Sequence, residues 1–217
     1  IAKKNSDFLK NKFLDTDGGK FQTSNSEIID KFNSITGIYE RRYAPDEINC
    51  SDLAAVAAGL AINDSKLDQE TLDYIIVAHN TGDISCSSGQ VDTLPSVASK
   101  VKAKLKIKNP NCVAYDIICG CPGWVEGIIQ AKSFIKSGMA EKCLVIGCDT
   151  LSRILDENDR DSMIYADGSG AIVLESDSSY DGGILSHKSA TFTYDGENDF
   201  IFYGTSYNRR KRTKSDQ

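Results

Sequence analysis

The sequence predicts an α/β fold built on a parallel sheet with helices on both faces. Three observations predict it. Short apolar runs alternate with longer helical segments in the order strand, helix, strand, helix, strand. The first run is continuously apolar toward its end rather than alternating, as expected of a strand covered on both sides. The second run passes through a turn bearing glycine and proline directly into a helix.

The elements follow in order. Residues 1–48 are polar and irregular, apart from a predicted helix over 26–32 and a turn at Asp15 to Lys20, DTDGGK. Ser51 and Asp52 offer N-caps to an Ala-rich helix over 53–63. Residues 72–78, LDYIIVA, make the first strand, and a Gly/Ser-rich loop spans 81–93. Leu94-Pro95-Ser96 starts the next helix, the proline suiting its first position. Val97, Val101 and Leu105 form that helix's apolar stripe; Lys100, Lys102, Lys104 and Lys106 read as a solvated face. Residues 112–118, CVAYDII, make the second strand. A helix then runs from about Pro122 to Ser137 and stops at Gly138. The third strand covers 143–148, and a fourth, 171–175, follows a turn at Asp167-Gly168-Ser169-Gly170. Residues 182–217 are rich in Tyr, Phe, Thr and Asp and read as hairpins or the opening of a second domain. The basic run there, Arg209, Arg210, Lys211, Arg212 and Lys214, reads as a solvated or frayed end.

Composition narrows the function classes. A chain of 217 residues, 40% hydrophobic, can bury a sizeable core. A net charge of -6 argues against nucleic acid as a partner. No apolar run approaches the ~20 residues needed to cross a bilayer, so no membrane partner is expected. No signal peptide stands at the N-terminus, and the chain begins at Ile1 rather than Met, which reads as a trimmed product or a fragment. The seven cysteines are odd in number, and several lie in apolar stretches. They read as reduced thiols of a cytoplasmic protein. Cys119 and Cys121 form a C-x-C pair without a second ligand pair at metal spacing, so no metal is expected. The DGSG turn lacks the Lys-Ser/Thr of a phosphate loop, and DENDRD, residues 156–161, misses the spacing of a calcium loop.

The stretch from Ala114 to Gly127, AYDIICGCPGWVEG, carries the chemistry. Gly120 permits a tight backbone path, and Pro122 fits a first helical turn, where its missing N–H has no partner to lose. Cys121 therefore sits at or next to a helix N-cap. The helix N-terminus places partial positive charge near the sulfur, a setting that favours thiolate over thiol. The carboxyl ends of parallel strands open onto the crevice where such folds bind ligands, and a thiolate there is a good acyl acceptor. The competing reading, a small buried cysteine, applies with more force to Cys119 at the strand end. His79, at the end of the first strand, reads as a loop-mouth histidine or as a base toward Cys121.

These residues resemble a family. The run from Ala114 to Arg153 is similar to the nucleophile region of ketoacyl-acyl-carrier-protein synthase III, in the thiolase superfamily. The matching positions are Asp116, Cys121, Gly123 and Trp124. Asp159-Arg160, Tyr165 to Ala171 (YADGSGA) and Thr36 to Arg41 (TGIYER) resemble further family segments. The resemblance implies a layered αβαβα thiolase-like fold of two similar halves, with 1–176 as the N-terminal half and 177–217 as the incomplete start of the second. It implies a homodimer, no bound cofactor, and thioesters of coenzyme A or acyl carrier protein as substrates. Cys121 is the implied nucleophile that takes an acyl group and condenses it with malonyl-acyl carrier protein in fatty acid or related polyketide synthesis. Arg160 matches an arginine at the coenzyme A entrance. Lys31 and Ile35 stand where housekeeping members carry the tryptophan and arginine that sandwich the adenine. A carrier-bound acyl donor, as in secondary-metabolite relatives, is therefore an alternative. The family's histidine and asparagine come from its second half, and neither His79 nor His187 stands in that motif. The chain reads as ending before it and as lacking the family's first strand, so it is not expected to complete the condensation by itself. A thioester hydrolase using Cys121 and His79, or a non-catalytic partner subunit, also remains open.

Overall fold

The computed structural model describes residues 1–15, 18–179 and 182–196. Its elements in chain order are β1 (Ala2–Lys4), α1 (Asn25–Thr36), β2 (Glu40–Arg42), α2 (Cys50–Ser65), β3 (Tyr74–His79), β4 (Asp83–Ile84), β5 (Val91–Asp92), α3 (Val97–Lys104), β6 (Val113–Ile118), α4 (Gly123–Lys136), β7 (Lys142–Thr150) and β8 (Asp167–Glu175), with short 3-10 turns between some of them. The chain divides into two compact units. The larger holds Ile1, Arg42–Arg153 and Ala166–Ser186; the smaller holds Ala2–Arg41, Ile154–Tyr165 and the described residues from His187 on.

The larger unit is built on a four-stranded sheet in the order β6-β3-β7-β8. β3 runs parallel to both β6 and β7, whereas β8 runs antiparallel to β7. The sheet is therefore mixed rather than parallel throughout, in the common form of an antiparallel strand added at one edge. Alternation along the strands sorts the core into two layers. Ile75, Val77, Leu144 and Ile146 pack with Ala54, Ala58, Val97 and Val101 of α2 and α3. Ile76, Cys143 and Val145 pack with Ala131 of α4 on the other face. Each Ile, Leu and Val among them contributes roughly 1.5–3 kcal/mol on burial.

The helices end where local chemistry dictates, with some shifts from the sequence reading. α1 is longer than expected because Ser24 and Glu27 form a capping box at its start and Gly37, at φ 68, closes its end. α2 begins at Cys50, three residues early, where Asp52 accepts the Asn49 N–H at 2.9 Å. Ser51 is no cap. It is buried, and both its N–H and its hydroxyl bond to Asp83. α3 begins at Val97, capped by Ser96 accepting from the Ser99 N–H. Pro95 lies before the cap rather than in the first turn. The 81–93 loop contains a small antiparallel ladder, Asp83↔Asp92 and Ile84↔Val91. The predicted turn Asp167–Gly170 is instead the start of β8, laddered against Gly147–Thr150. It is extended because a partner strand supplies its hydrogen bonds, which outweighs the local turn preference of its glycines.

The α3 lysines are also more engaged than a solvated face. Lys100 bridges Asp83 at 3.1 Å and Asp92 at 2.8 Å. Lys102 donates to the carbonyls of Asn109 and Cys112, and Lys104 pairs with Asp52. The segments around α3 bring carbonyls and carboxylates within reach of these long side chains.

α4 lies close on the sheet through Gly127. A Cβ at that position would stand 2.9 Å from Cγ1 of the fully buried Val145. Gly127→Ala gains up to about 1 kcal/mol of helix propensity but overpacks a site with no slack, costing roughly 1–3 kcal/mol. A net loss, read as a lower denaturant midpoint at unchanged slope, is the expected outcome. Gly59, inside α2, meets only Leu105 at 3.8 Å. Gly59→Ala is therefore expected to raise stability by up to about 1 kcal/mol, read as a higher midpoint at unchanged slope.

In the smaller unit, Phe8, Phe13, Ile28, Ile29 and Met163 form the core. Arg41, the arginine of the TGIYER segment, is buried there. It donates to the Lys3 carbonyl and Asn5 Oδ1 and lies over the rings of Phe8 and Phe32. Of the predicted turn at Asp15 to Lys20, Thr16 and Asp17 lie outside the described residues; the Gly18 N–H donates to the Asp15 carbonyl and the Gly19 N–H to its carboxylate. Among the described residues from 182 to 196 there is no strand or helix. The basic run from Arg209 to Lys214 lies outside the described residues. No helix among the described residues is long and apolar enough to cross a membrane.

Candidate active site

The elbow forms as its sequence dictates. β6 ends at Ile118, Gly120 takes φ +63, and Pro122 occupies the N-cap position of α4 with φ -65. A side chain at Gly120 would be strained in this left-handed conformation. Cys121 thus lies between a sharp backbone reversal and a helix of 14 residues, one position before its cap. Its thiol is exposed. Cys119 is exposed as well, which corrects the expectation that it packs at the strand end: among the described residues β6 is an edge strand, and no strand covers its outer side.

The carboxyl end of β3 brings a polar cluster alongside. The buried His79 ring meets Asp116 of β6 through Nε2, 3.0 Å from Oδ2. Asp116 also accepts the backbone N–H groups of Val97 at 2.7 Å and Ala98 at 2.8 Å, so one carboxylate seats both a ring and the start of α3. Burial acts to raise the Asp116 carboxyl. The His79 contact and the two backbone donors outweigh it and hold the group below its ordinary range. Among the described residues His79 Nδ1 has no hydrogen-bond partner, and the ring is bonded to Asp116 rather than to Cys121.

Next to His79, Asn80 places both its N–H and its side-chain amide on Asp149 of β7, at 2.9 and 2.7 Å. Burial pushes the Asp149 carboxyl up despite these two bonds. The Asn80 Oδ1 lies 3.9 Å from the point where a Gly120 Cβ would stand, so this pair borders the elbow. Sequence reading singled out neither Asn80 nor Asp149. The only signal was position, each standing at the carboxyl edge of a predicted strand, where α/β folds collect ligand-facing groups. Among the described residues no cluster of three or more metal-ligating side chains exists.

Arg160 belongs to the smaller unit, at the start of a short 3-10 turn, Arg160–Ile164. Its guanidinium lies 4.9 Å from the Phe21 ring centroid and 3.6 Å from Asp161, with about half of the side chain exposed. It borders a groove of about 510 Å³ lined also by Phe21, Lys31, Phe32, Ile35 and Met163. The two positions singled out for the adenine, Lys31 and Ile35, thus share a groove with Arg160.

Comparison with known proteins agrees with this fold. The family model for 3-oxoacyl-[acyl-carrier-protein] synthase III matches residues 115–192, which include the elbow and β8. The beta-ketoacyl-[acyl-carrier-protein] synthase III of Ehrlichia canis is 39% identical over 193 residues, 86% of this chain and 54% of that protein. Its counterpart in Neisseria gonorrhoeae is 44% identical over 140 residues, 64% of this chain and 41% of that protein. The crystal structure of 3-oxoacyl-[acyl-carrier-protein] synthase III from Aquifex aeolicus superposes with a TM-score of 0.64 at 33% identity, covering 82% of this chain and 50% of that one. The chain spans about half the length of the curated relatives it matches. Over these stretches the chain is similar in sequence, and in its thiolase-like fold, to the 3-oxoacyl-[acyl-carrier-protein] synthase III proteins.

Proposed function

We propose that this protein is a ketoacyl synthase III-type acyltransferase whose nucleophile is Cys121. The observation that carries this reading is an exposed thiol held one residue before the cap of α4, at the carboxyl ends of β6 and β3. In the proposed step the Cys121 sulfur attacks the carbonyl of an acyl thioester and the donor thiol leaves, which conserves the thioester on the enzyme. The acyl-enzyme then condenses with malonyl-acyl carrier protein, with loss of carbon dioxide. That second step needs a histidine and an asparagine, which the resemblance assigns to the second half of the fold. In this reading residues 1–176 are the N-terminal half and 177–217 the start of the other. The full enzyme acts as a cytoplasmic homodimer on acyl-coenzyme A and acyl carrier protein, without a bound cofactor.

Arg160 is the proposed substrate-binding residue, its cation placed beside a groove sized for part of a phosphate-bearing thioester. The groove also favours a second reading of the donor. Lys31 and Ile35 give it no aromatic and arginine pair at those positions to hold an adenine, which supports a carrier-bound acyl group as donor. The hydrolase reading lacks its pair, because among the described residues no hydrogen bond joins the His79 ring to Cys121.

The test is acyl labelling of the full-length protein. It is incubated with acyl-coenzyme A or, separately, with acyl carrier protein, and its peptides are mapped by mass spectrometry. A thioester adduct on the peptide carrying Cys121 is expected, and the faster donor identifies the natural class. Absence of an adduct with both donors, or an adduct confined to the exposed Cys86, would sink the proposal.

A further inference from the structure

We propose that Cys50 and Cys148 form a redox-active dithiol, closed to a disulfide by a hydroperoxide. This goes beyond acyl transfer and does not depend on it. The two residues are 98 positions apart in sequence, yet their sulfurs stand 3.0 Å apart. Cys50 is the first residue of α2; Cys148 lies near the end of β7, opposite Ser169. Both are buried in the core layer between the sheet and α2, Cys50 completely and Cys148 at 5% exposure. A disulfide has an S–S bond of about 2.05 Å, so closure asks the sulfurs to approach by only about 1 Å.

The same surroundings set the rate. Contact with Cys148, and then burial, push the Cys50 thiol well up, so Cys50 rests as a neutral thiol. Oxidation must await local opening and is slower than at the exposed Cys86, Cys119 and Cys121. Cellular reducing thiols keep such a pair open until an oxidant reaches it. In the first step the Cys148 sulfur attacks a peroxide oxygen, breaking the O–O bond and leaving a sulfenic acid with one alcohol or water released. In the second step the Cys50 sulfur attacks that sulfur and expels the hydroxyl, which leaves with the Cys50 proton as water. Two thiols are oxidised by two electrons and one peroxide is reduced. The bond would staple the start of α2 to β7 one residue before Asp149, which holds Asn80 beside the elbow.

The experiment uses the wild-type full chain and hydrogen peroxide. After exposure the protein is denatured, its free thiols are capped with N-ethylmaleimide, and it is digested without reductant for mass spectrometry. The expected result is a linked pair of peptides carrying Cys50 and Cys148, two hydrogens lighter than their sum and separated by dithiothreitol. Cys50→Ala is expected to eliminate the linked species. Recovery of wild-type Cys50 and Cys148 both capped by maleimide, after Cys86, Cys119 and Cys121 have been oxidised, would overturn the proposal. This readout involves no acyl donor, so its failure and that of the acyltransferase reading are separate results.

Discussion

Cys121→Ala is expected to abolish acyl uptake, lowering the labelling rate by at least about 10³-fold, because no other group in the reaction replaces a nucleophilic sulfur. Cys119→Ala is the matched control. It removes another exposed thiol two residues away and is expected to leave labelling intact. The two sulfurs share a loop and differ in their relation to α4. Cys121 stands one residue before the Pro122 cap, where the positive end of the helix is nearest, and Cys119 stands on the far side of Gly120. Single-turnover labelling of the full-length protein, quantified by peptide mass spectrometry, measures both. If the Cys119 variant lost labelling and the Cys121 variant kept it, the roles assigned at the elbow would be reversed.

Asp116→Ala is expected to cost roughly 3 kcal/mol of stability. The carboxylate accepts from the Val97 and Ala98 N–H groups and contacts His79, and its side chain is only 16% exposed. Truncation strands three polar groups at once, one of them on a buried ring, and unties the start of α3. A lower denaturant midpoint with unchanged slope is the expected reading; a loss below about 0.5 kcal/mol, the range of ordinary surface substitutions, would show that the network holds little. The sign with pH follows from the direction of its shift. Asp116 is held below its ordinary value, so its contribution is fully present above the unfolded carboxyl value of about 3.9 and is lost as pH falls through the folded value. Asp149 and Asp159, pushed up chiefly by burial, act the other way: their contribution is present below the unfolded value and lost as pH rises through the folded one. Asp116→Asn should therefore flatten the acid limb of the stability curve below about pH 4 while Asp149 and Asp159 still titrate.

The candidate site was legible to different depths. Cys121 could be read from residue types alone, because glycine freedom, the fit of proline to a first helical turn and helix polarity are local properties of ICGCPG. Arg160 came from resemblance only; nothing in DENDRD distinguishes one arginine, and its stacking on Phe21 needed two distant segments to meet. His79 could be placed at a strand end, but not its partner. Asp116 lies 37 positions away, and Asn80 meets Asp149 across 69. Such pairs are fixed by strand order, here β6-β3-β7, which no short window contains.

By itself the sequence determined the main helices and the strands of the larger sheet, though not the short strands β1, β2, β4 and β5, and that one strand hands over to a helix through a cysteine. Hydrophobic period and turn chemistry act within a few residues, so they survive without any tertiary context. Only the tertiary structure decided the direction of β8, the extended form of its DGSG stretch, the early start of α2 and the engagement of the α3 lysines. In each case a group distant in sequence supplied hydrogen bonds or charge that outweighed a weak local preference. Local preferences amount to about 1 kcal/mol or less per residue, and leaving a buried polar group unpaired costs more than that.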